Sequence, residues 1–120
     1  MIDHISIRVS DYERSKRFYA LALAPRGYTL LMENASGAGF RKELIADFWI
    51  KQGESSPSVH VAFASPDHAA VDAFYRAATA AGAKDNGPPA LRPRYHPAYY
   101  GAFVLDPDGY NIEAVCHQPE

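Results

Sequence analysis

The chain has 120 residues, of which 48% are hydrophobic and 22% are charged, and its formal net charge is −2. This length suits one domain with a modest core, and a chain without a basic stripe is a poor candidate for binding nucleic acid. The only cysteine is Cys116, which excludes an internal disulfide and fits a reducing compartment.

No targeting signal is visible along the chain. No apolar run approaches the roughly 20 residues that are needed to span a membrane. Residues 1–4 lack the basic and then apolar segments that mark a secretory signal. We therefore predict a cytoplasmic protein with no membrane partner.

The first half begins with a predicted strand and helix. Residues 2–9 alternate between apolar and polar side chains, as in a strand with one buried face. Ser10, followed by Glu13 three residues later, predicts the N-cap and capping box of a helix that Pro25 and Gly27 end. The apolar stripe of this helix has helical spacing and comprises Ser15, Phe18, Tyr19 and Ala22.

Three further strands are predicted after this helix. The first covers residues 28–32, a weak second begins at Phe40, and the third covers 47–50. A loop of small residues, 34–39, separates the first two, and a polar link at 53–57 ends this half.

The second half repeats the same order of elements. Residues 58–64 alternate as a strand does, and Ser65 and Pro66 predict the start of a helix that Gly82 ends. The stripe of this second helix comprises Val71, Phe74, Tyr75 and Ala78. A long Pro-rich segment, 84–97, then leads to two closing strands.

The closing strands flank a tight turn at residues 106–109. Asp, Pro and Gly stand at the first, second and fourth turn positions, which predicts a type I turn. Glu113 interrupts the otherwise apolar strand 112–116. Its carboxylate therefore faces either solvent or a site that needs a carboxylate.

An offset of 56 residues superimposes the two halves. It pairs residues of the same type: His4 with His60, Asp11 with Asp67, Phe18 with Phe74, and Tyr19 with Tyr75. We infer a duplicated βαβββ unit, residues 1–53 and 58–118, in one α+β domain over 1–120. The two sheets form an open, curved trough, with His4, His60 and Glu113 predicted on the non-core face of their strands.

With these features the chain resembles the vicinal oxygen chelate superfamily, which includes glyoxalase, bleomycin-resistance, fosfomycin-resistance and extradiol dioxygenase proteins. The resemblance spans essentially the whole chain, and its most specific part is the segment 103–113. It implies a divalent metal ion in the trough, of open identity among Fe, Mn, Ni and Zn. His4, His60 and Glu113 would be its ligands, and Glu113 would also be catalytic.

The resemblance also implies an activity. A Lewis-acidic ion would take a small substrate through two neighbouring oxygens and stabilise an enolate or alkoxide, in a lyase, isomerase, thiol transferase or dioxygenase reaction. Trp49 occupies the fourth-ligand position of the lactoylglutathione lyases and cannot bind metal, although Asp47 would serve if the register shifted. Two histidines and one carboxylate with open positions suit Fe(II) or Mn(II).

A metal-free function is the alternative. The two histidines would then be hydrogen-bonded strand residues, and the trough would sequester a small molecule or an antibiotic. The residues proposed for substrate binding are Phe40, Trp49, Arg92, Arg94, His96 and Tyr100. For the three aromatic residues the competing interpretation is packing in the core. For Arg92, Arg94 and His96 it is a solvated loop. If the loop is functional, its two arginines would bind a carboxylate or phosphate group of the ligand.

We also predict a homodimer. Small modules with open sheet edges gain stability by pairing, and the superfamily that the chain resembles is commonly dimeric. Cys116, which continues the apolar face of the last strand, is predicted to be a buried and unreactive thiol.

Overall fold

The computed structural model describes residues 4–33, 37–41, 46–54 and 59–119. Residues 34–36 of the predicted loop over 34–39 and most of the predicted link over 53–57 lie outside the described residues, as does the first part of the predicted strands at 2–9 and 58–64. In the described part of the chain, no helix is both long enough and apolar enough to cross a membrane. The cytoplasmic location stays a prediction.

The first half forms one helix and one four-stranded sheet. Its elements are β1 (Ile5–Val9), α1 (Tyr12–Ala22), a short 3-10 helix (Ala24–Arg26), β2 (Thr29–Glu33), β3 (Gly37–Arg41) and β4 (Phe48–Gln52). The strand order is β1-β4-β3-β2, and only the β1–β4 pair is parallel. The third strand begins at Gly37, inside the segment that was predicted to be a loop.

The second half repeats this architecture. Its elements are β5 (His60–Ala64), α2 (His68–Ala80), β6 (Lys84–Asp85), β7 (Ala90–Leu91), β8 (Tyr100–Leu105) and β9 (Asn111–Cys116). The strand order is β5-β9-β8-β6, with β7 also paired to β8. The predicted α+β class and the two βαβββ modules with open sheets are therefore confirmed.

The Pro-rich segment 84–97 is more regular than predicted. Its two short strands both pair with the outer edge of β8, whose backbone groups would otherwise lack protein partners. The ladder is interrupted between them, where Pro88 and Pro89 have no N–H to donate. The prolines therefore divide one edge strand into two pieces instead of abolishing it.

Both helices start one or two residues later than predicted. The N-cap of α1 is Asp11, which accepts from the N–H of Arg14 at 3.1 Å, and the N-cap of α2 is Asp67, which accepts from Ala70 at 2.8 Å. Ser10 instead bonds to Asp108 across the molecule. Ser65 continues the β5 ladder, with its N–H on the carbonyl of Val115. The predicted caps were wrong. The Ser10 hydroxyl bonds to Asp108 instead of to the helix, and Ser65 still belongs to the strand ladder, two residues before the N-cap of α2.

One hydrophobic core contains side chains from both halves. The predicted helix stripes supply it, and Tyr75 alone among them is only half-buried. Phe63 joins the halves, since its ring centroid lies 5.3 Å from that of Phe48 and 5.7 Å from that of Tyr28. Cys116 is fully buried, as predicted. The helices cover one side of the sheets, so the polar residues of the inner strands project from the other side.

The closing turn also connects the halves. The N–H of Gly109 donates to the carbonyl of Asp106 at 2.8 Å, and Gly109 has φ +84°, which glycine adopts without strain. The Asp106 carboxylate is buried and accepts from the hydroxyl of Tyr19 at 2.5 Å and from the N–H of Tyr110 at 2.9 Å. This turn therefore fixes the position of β9 relative to α1.

Candidate functional site

The site is centred on neighbouring parallel strands of the second sheet. β5 and β9 pair in a register that places His60 opposite Asn111 and Ala62 opposite Glu113. His60 and Glu113 therefore project from the same face of the sheet, with Glu113 two residues further along the paired strands. The Nε2 atom of His60 lies 3.0 Å from Oε1 of Glu113, so the structure brings these two predicted site residues together.

Glu113 is buried although it lies on the face away from the helices. Its side chain is 2% exposed, whereas that of His60 is 49% exposed. The carboxylate is covered by Tyr99, whose hydroxyl donates to Oε2. Gly101 leaves room for this arrangement, because a Cβ atom there would lie 3.3 Å from Oε2 and 3.1 Å from the Tyr99 ring.

Tyr99 is the residue that the sequence interpretation missed. Burial and the hydrogen bond to Glu113 raise its pKa well above the ordinary value for a phenol, so the hydroxyl stays protonated and remains a donor. A signal for it exists in the sequence. The turn at 106–109 pairs Phe103 with Glu113, and residues 99, 101 and 103 alternate onto the same face.

Tyr100, which was proposed for substrate binding, points the other way. Its hydroxyl donates to Oδ1 of Asp72 on α2 at 2.7 Å, and its ring stacks on His68 with 3.9 Å between centroids. Tyr100 therefore packs on the helix side, where it cannot line the same pocket as Glu113. His68 is itself only half-exposed.

His4 lies directly before β1 and is exposed. It lines a cleft of about 200 Å³ together with His60 and Asp47. Oδ2 of Asp47 accepts from the hydroxyl of Tyr28 at 2.9 Å, whereas Oδ1 is buried without a hydrogen-bond partner in the described part of the chain. The two histidines of the repeat therefore share one cleft, and an unsatisfied carboxylate oxygen belongs to a residue that lines it.

Trp49 lines a neighbouring cleft. This cleft has a volume of about 270 Å³, and its lining contains His4, Ser6, Trp49 and Lys51. The indole packs so closely over Gly39 that a Cβ atom there would lie 2.8 Å from the ring. Its N–H donates to the carbonyl of Ala46 at 3.3 Å. Trp49 is thus a fixed, half-buried wall next to His4.

Phe40 does not line either cleft in the described part of the chain. It has no exposed surface, and its ring packs against Tyr19 and Phe48 in the core. The competing interpretation, core packing, therefore describes it correctly. The alternation of β3 explains the difference, because Phe40 takes the helix-facing side and leaves Gly39 beneath Trp49.

Three further residues proposed for substrate binding, Arg92, Arg94 and His96, lie on the segment that carries Tyr99. Arg92 donates to the carbonyl of Pro88 at 2.6 Å, and its guanidinium lies 5.0 Å from the ring centroid of Phe103. Arg94 is exposed. Nε2 of His96 lies 2.6 Å from Nδ1 of His117, and its ring packs edge-on against Tyr99. His96 therefore supports Tyr99.

Comparisons with known proteins were made for sequence and for structure. No protein-family model matches the chain, and no curated protein matches it. A glyoxalase/bleomycin resistance protein from Albidiferax ferrireducens T118 has a similar structure, with a TM-score of 0.82 and 28% identity over 98% of both chains. The fold is that of glyoxalase/bleomycin resistance proteins, in agreement with the resemblance of the sequence to the vicinal oxygen chelate superfamily.

Two structures of lower sequence identity share this fold. A glyoxalase/bleomycin resistance protein/dioxygenase family enzyme from Burkholderia phytofirmans PsJN is 18% identical over 98% of both chains, with a TM-score of 0.76. TioX from Micromonospora sp. ML1 is also 18% identical, over 98% of this chain and 99% of its own, with a TM-score of 0.75. At these identities the likeness concerns the fold alone.

Members of this superfamily typically use a metal ion. His60 and Glu113 fit two positions of such a site, because ligands at right angles, each about 2.1 Å from an ion, lie about 3.0 Å apart. Imidazole and carboxylate also form a suitable mixed donor set. No three His, Cys, Asp or Glu side chains among the described residues are grouped to hold one ion. His60 and Glu113 thus form a pair among the described residues, and His4 does not complete a group of three with them.

Proposed function

We propose that this chain is a divalent-metal-dependent enzyme that acts on a small molecule with two neighbouring oxygens. The His60–Glu113 pair carries the proposal, since its 3.0 Å separation suits adjacent ligands of one ion. The similarity to a glyoxalase/bleomycin resistance protein at 28% identity supports the same class. The substrate and the type of reaction stay open among lyase, isomerase, thiol transferase and dioxygenase.

The proposed ion would be held by His60, Glu113 and His4. The first two are already adjacent, and His4 lines the same cleft as His60. When bound, the ion would supply a Lewis acid that polarises the substrate oxygens. His4 would come from the same chain or from a second copy in the homodimer that we propose.

Tyr99 and Glu113 would act together in this site. The Tyr99 hydroxyl donates a hydrogen bond to Oε2, so that Oε1 is the oxygen that faces His60. Oε1 is thus the atom of Glu113 that would bind the ion beside His60. Trp49 would offer a flat apolar wall beside His4, and Lys51 would attract an anionic group.

A metal-free binding protein is the second candidate. One observation favours it: both oxygens of Glu113 already have partners within the chain, one from Tyr99 and one from His60. A carboxylate satisfied in this way needs no cation to compensate for its burial. In that case the Trp49 cleft would hold the ligand.

Elemental analysis of bound metal decides between the two candidates. The protein would be reconstituted separately with Mn²⁺, Ni²⁺ and Zn²⁺ and desalted before measurement. A fourth sample would be reconstituted with Fe²⁺ under anaerobic conditions. We expect stoichiometric metal in the wild type and its loss in His4→Ala, His60→Ala and Glu113→Gln. The matched control is His68→Ala, because His68 stacks on Tyr100 on the helix side and should leave metal content unchanged.

Absence of stoichiometric metal from the wild type after all four reconstitutions would reject the enzyme proposal in favour of the binding protein. Equal metal content in His60→Ala and the wild type would reject this site even if the protein binds metal. The variants must keep the far-ultraviolet circular dichroism of the wild type, which separates ligand loss from unfolding.

The proposed homodimer has its own test. Light scattering at micromolar concentration should give twice the chain mass, and a monomer mass would reject the dimer. If the sites are shared between copies, unfolding and refolding a mixture of His4→Ala and Glu113→Gln should restore part of the metal binding. Each variant refolded alone should restore none.

A further inference from the structure

A larger cleft lies on the helix side of the second sheet, away from His60 and Glu113. It has a volume of about 540 Å³, within the range of about 300–1,000 Å³ that is usual for small-molecule sites. Three segments form it: α1, the residues just after α2, and the turn between β8 and β9. None of the functional residues discussed above lines it.

Three cations converge on this cleft: Arg14, Arg17 and Lys84. Arg14 contacts only neutral oxygens in its described hydrogen bonds, the hydroxyl of Ser10 and the carbonyl of Pro107, both at 3.4 Å. The ion pairs found among the described residues involve Lys16 and His60 and none of these three cations. Their charges are therefore available to a ligand.

The two acidic residues of the lining are already occupied by donors. Asp106 is 5% exposed and is held by Tyr19 and by backbone N–H groups. Asp108 accepts from the backbone N–H of Ser10 at 3.0 Å and from its hydroxyl. The lining holds three cations and two carboxylates, of which that of Asp106 is buried, so the cleft has a small positive excess on a chain whose net charge is −2.

The cleft also has an apolar part. Leu21 is 53% exposed, and the lining continues over Phe18, Leu105 and Pro107. Covering an exposed leucine with an apolar ligand group removes its surface from water, which favours binding. Fixed cations beside an apolar surface select for an anion that carries an apolar body.

We propose that this cleft binds a small organic anion that carries two negative charges next to an apolar group. The chemistry is that of an aryl or alkyl phosphate monoester or of a comparable dicarboxylate. The phosphate or carboxylate end would bind between Arg17 and Lys84, and the apolar end would cover Leu21. This site is independent of the function proposed for His60 and Glu113.

The test is a nuclear magnetic resonance titration of the ¹⁵N-labelled chain with phenyl phosphate. Inorganic phosphate and benzyl alcohol serve as the anionic and apolar parts alone, and phthalate serves as the dicarboxylate. We expect saturable shifts of the Gly82 and Gly109 amides, both of which line the cleft. Phenyl phosphate should bind at least about tenfold more tightly than either part alone, because it uses both kinds of contact.

Charge reversal locates the site. Arg17→Glu combined with Lys84→Glu should weaken phenyl phosphate binding by about tenfold or more. Arg76→Glu is the matched control, an exposed arginine of the other helix that does not line this cleft, and it should bind as the wild type does. If the double variant fails to fold, Arg17→Gln replaces it, with a smaller loss expected.

Three outcomes would overturn the proposal. The first is the absence of saturable shifts at Gly82 and Gly109, and the second is equal affinity in the wild type and the charge-reversed variant. The third is equal weakening by Arg76→Glu, which would indicate general attraction to basic residues. Saturation by phthalate and not by phenyl phosphate would keep the site and restrict its ligand to dicarboxylates.

Discussion

The side chains around Glu113 illustrate how a single hydroxyl can set the state of a buried carboxylate. Tyr99 donates to one oxygen and His60 contacts the other, so neither oxygen is left without a partner. Removing a buried partner costs more than forming the hydrogen bond gains, because the remaining group has lost its water. Tyr99 therefore stabilises the buried carboxylate of Glu113 and fixes its orientation.

Tyr99→Phe tests this role. The substitution keeps the ring and removes the donor to Oε2, so we expect the free energy of unfolding to fall by about 1–3 kcal/mol. Urea denaturation monitored by fluorescence measures it. Tyr95→Phe is the control, because Tyr95 is exposed and its hydroxyl accepts a hydrogen bond from Arg94 at the surface. Equal stability of the two variants would show that the Glu113 oxygen does not need the hydroxyl.

The raised pKa of Tyr28 leads us to expect a change in stability at alkaline pH. Burial and the hydrogen bond to Asp47 raise its pKa from 10.0 to about 12. A folded-state pKa above the unfolded one gives stability that is complete below about pH 10 and is lost as the pH rises through about 12. We therefore expect the stability of the wild type to fall in this window and that of Tyr28→Phe to fall less steeply.

Urea midpoints measured at several pH values between neutrality and this window give both slopes. Tyr19 also has a raised pKa because it is buried, so the variant should retain part of the alkaline loss. Parallel curves for the wild type and Tyr28→Phe would contradict the assignment. Tyr95→Phe again serves as the control and should follow the wild type.

At the scale of single elements, the two helices show that the duplication extends to their capping. Asp11 and Asp67 are related by the 56-residue offset, and each caps its helix in the same way. The serines that precede them have different roles, since Ser10 bonds to the closing turn and Ser65 continues a strand. The two halves therefore share their capping aspartates but differ in the role of the preceding serine.

Asp67→Ala should lower the free energy of unfolding by about 1 kcal/mol, because it removes the acceptor for an N–H of the first turn. Ser65→Ala should change it by less than about 0.5 kcal/mol, since the buried Ser65 hydroxyl has no partner among the described residues. Thermal or urea unfolding compares the two directly. A larger loss of stability in Ser65→Ala than in Asp67→Ala would indicate that Ser65, and not Asp67, caps the helix.

At the scale of the whole molecule, the two halves share one core instead of having a core each. Phe63 of the second half packs edge-on against both Phe48 and Tyr28 of the first. Neither sheet can separate without exposing these rings to water. We therefore expect the two halves to unfold together.

Phe63→Ala should lower stability by about 3 kcal/mol or more while leaving a single unfolding transition. Leu91→Ala is the control, because Leu91 is 56% exposed and should change stability by less than about 0.5 kcal/mol. Far-ultraviolet circular dichroism and fluorescence should give coincident curves. Two separate transitions in the wild type would instead mean that the halves behave as independent domains.

The sequence by itself determined the order of elements, the duplication and the closing turn. Each depends on residues that are close in the chain: the alternation of strands, the helical spacing of Phe18 and Phe74, and the Asp-Pro-Asp-Gly turn at 106–109. It also named both members of the central pair, His60 and Glu113, because each lies on a predictable face of its strand.

Only the tertiary structure decided which side chains meet across the fold. The alternation of β8 already assigns Tyr99 to the face of Glu113, but the hydrogen bond from its hydroxyl to Oε2 depends on how the chain before β8 is placed over that face. Phe40 lies in the core because it takes the helix-facing side of β3, and the cleft of Arg17 and Lys84 exists because a turn far along the chain packs beside α1. Local sequence sets periodicity, whereas strand register and the packing of distant segments set contacts, and those are properties of the folded chain as a whole.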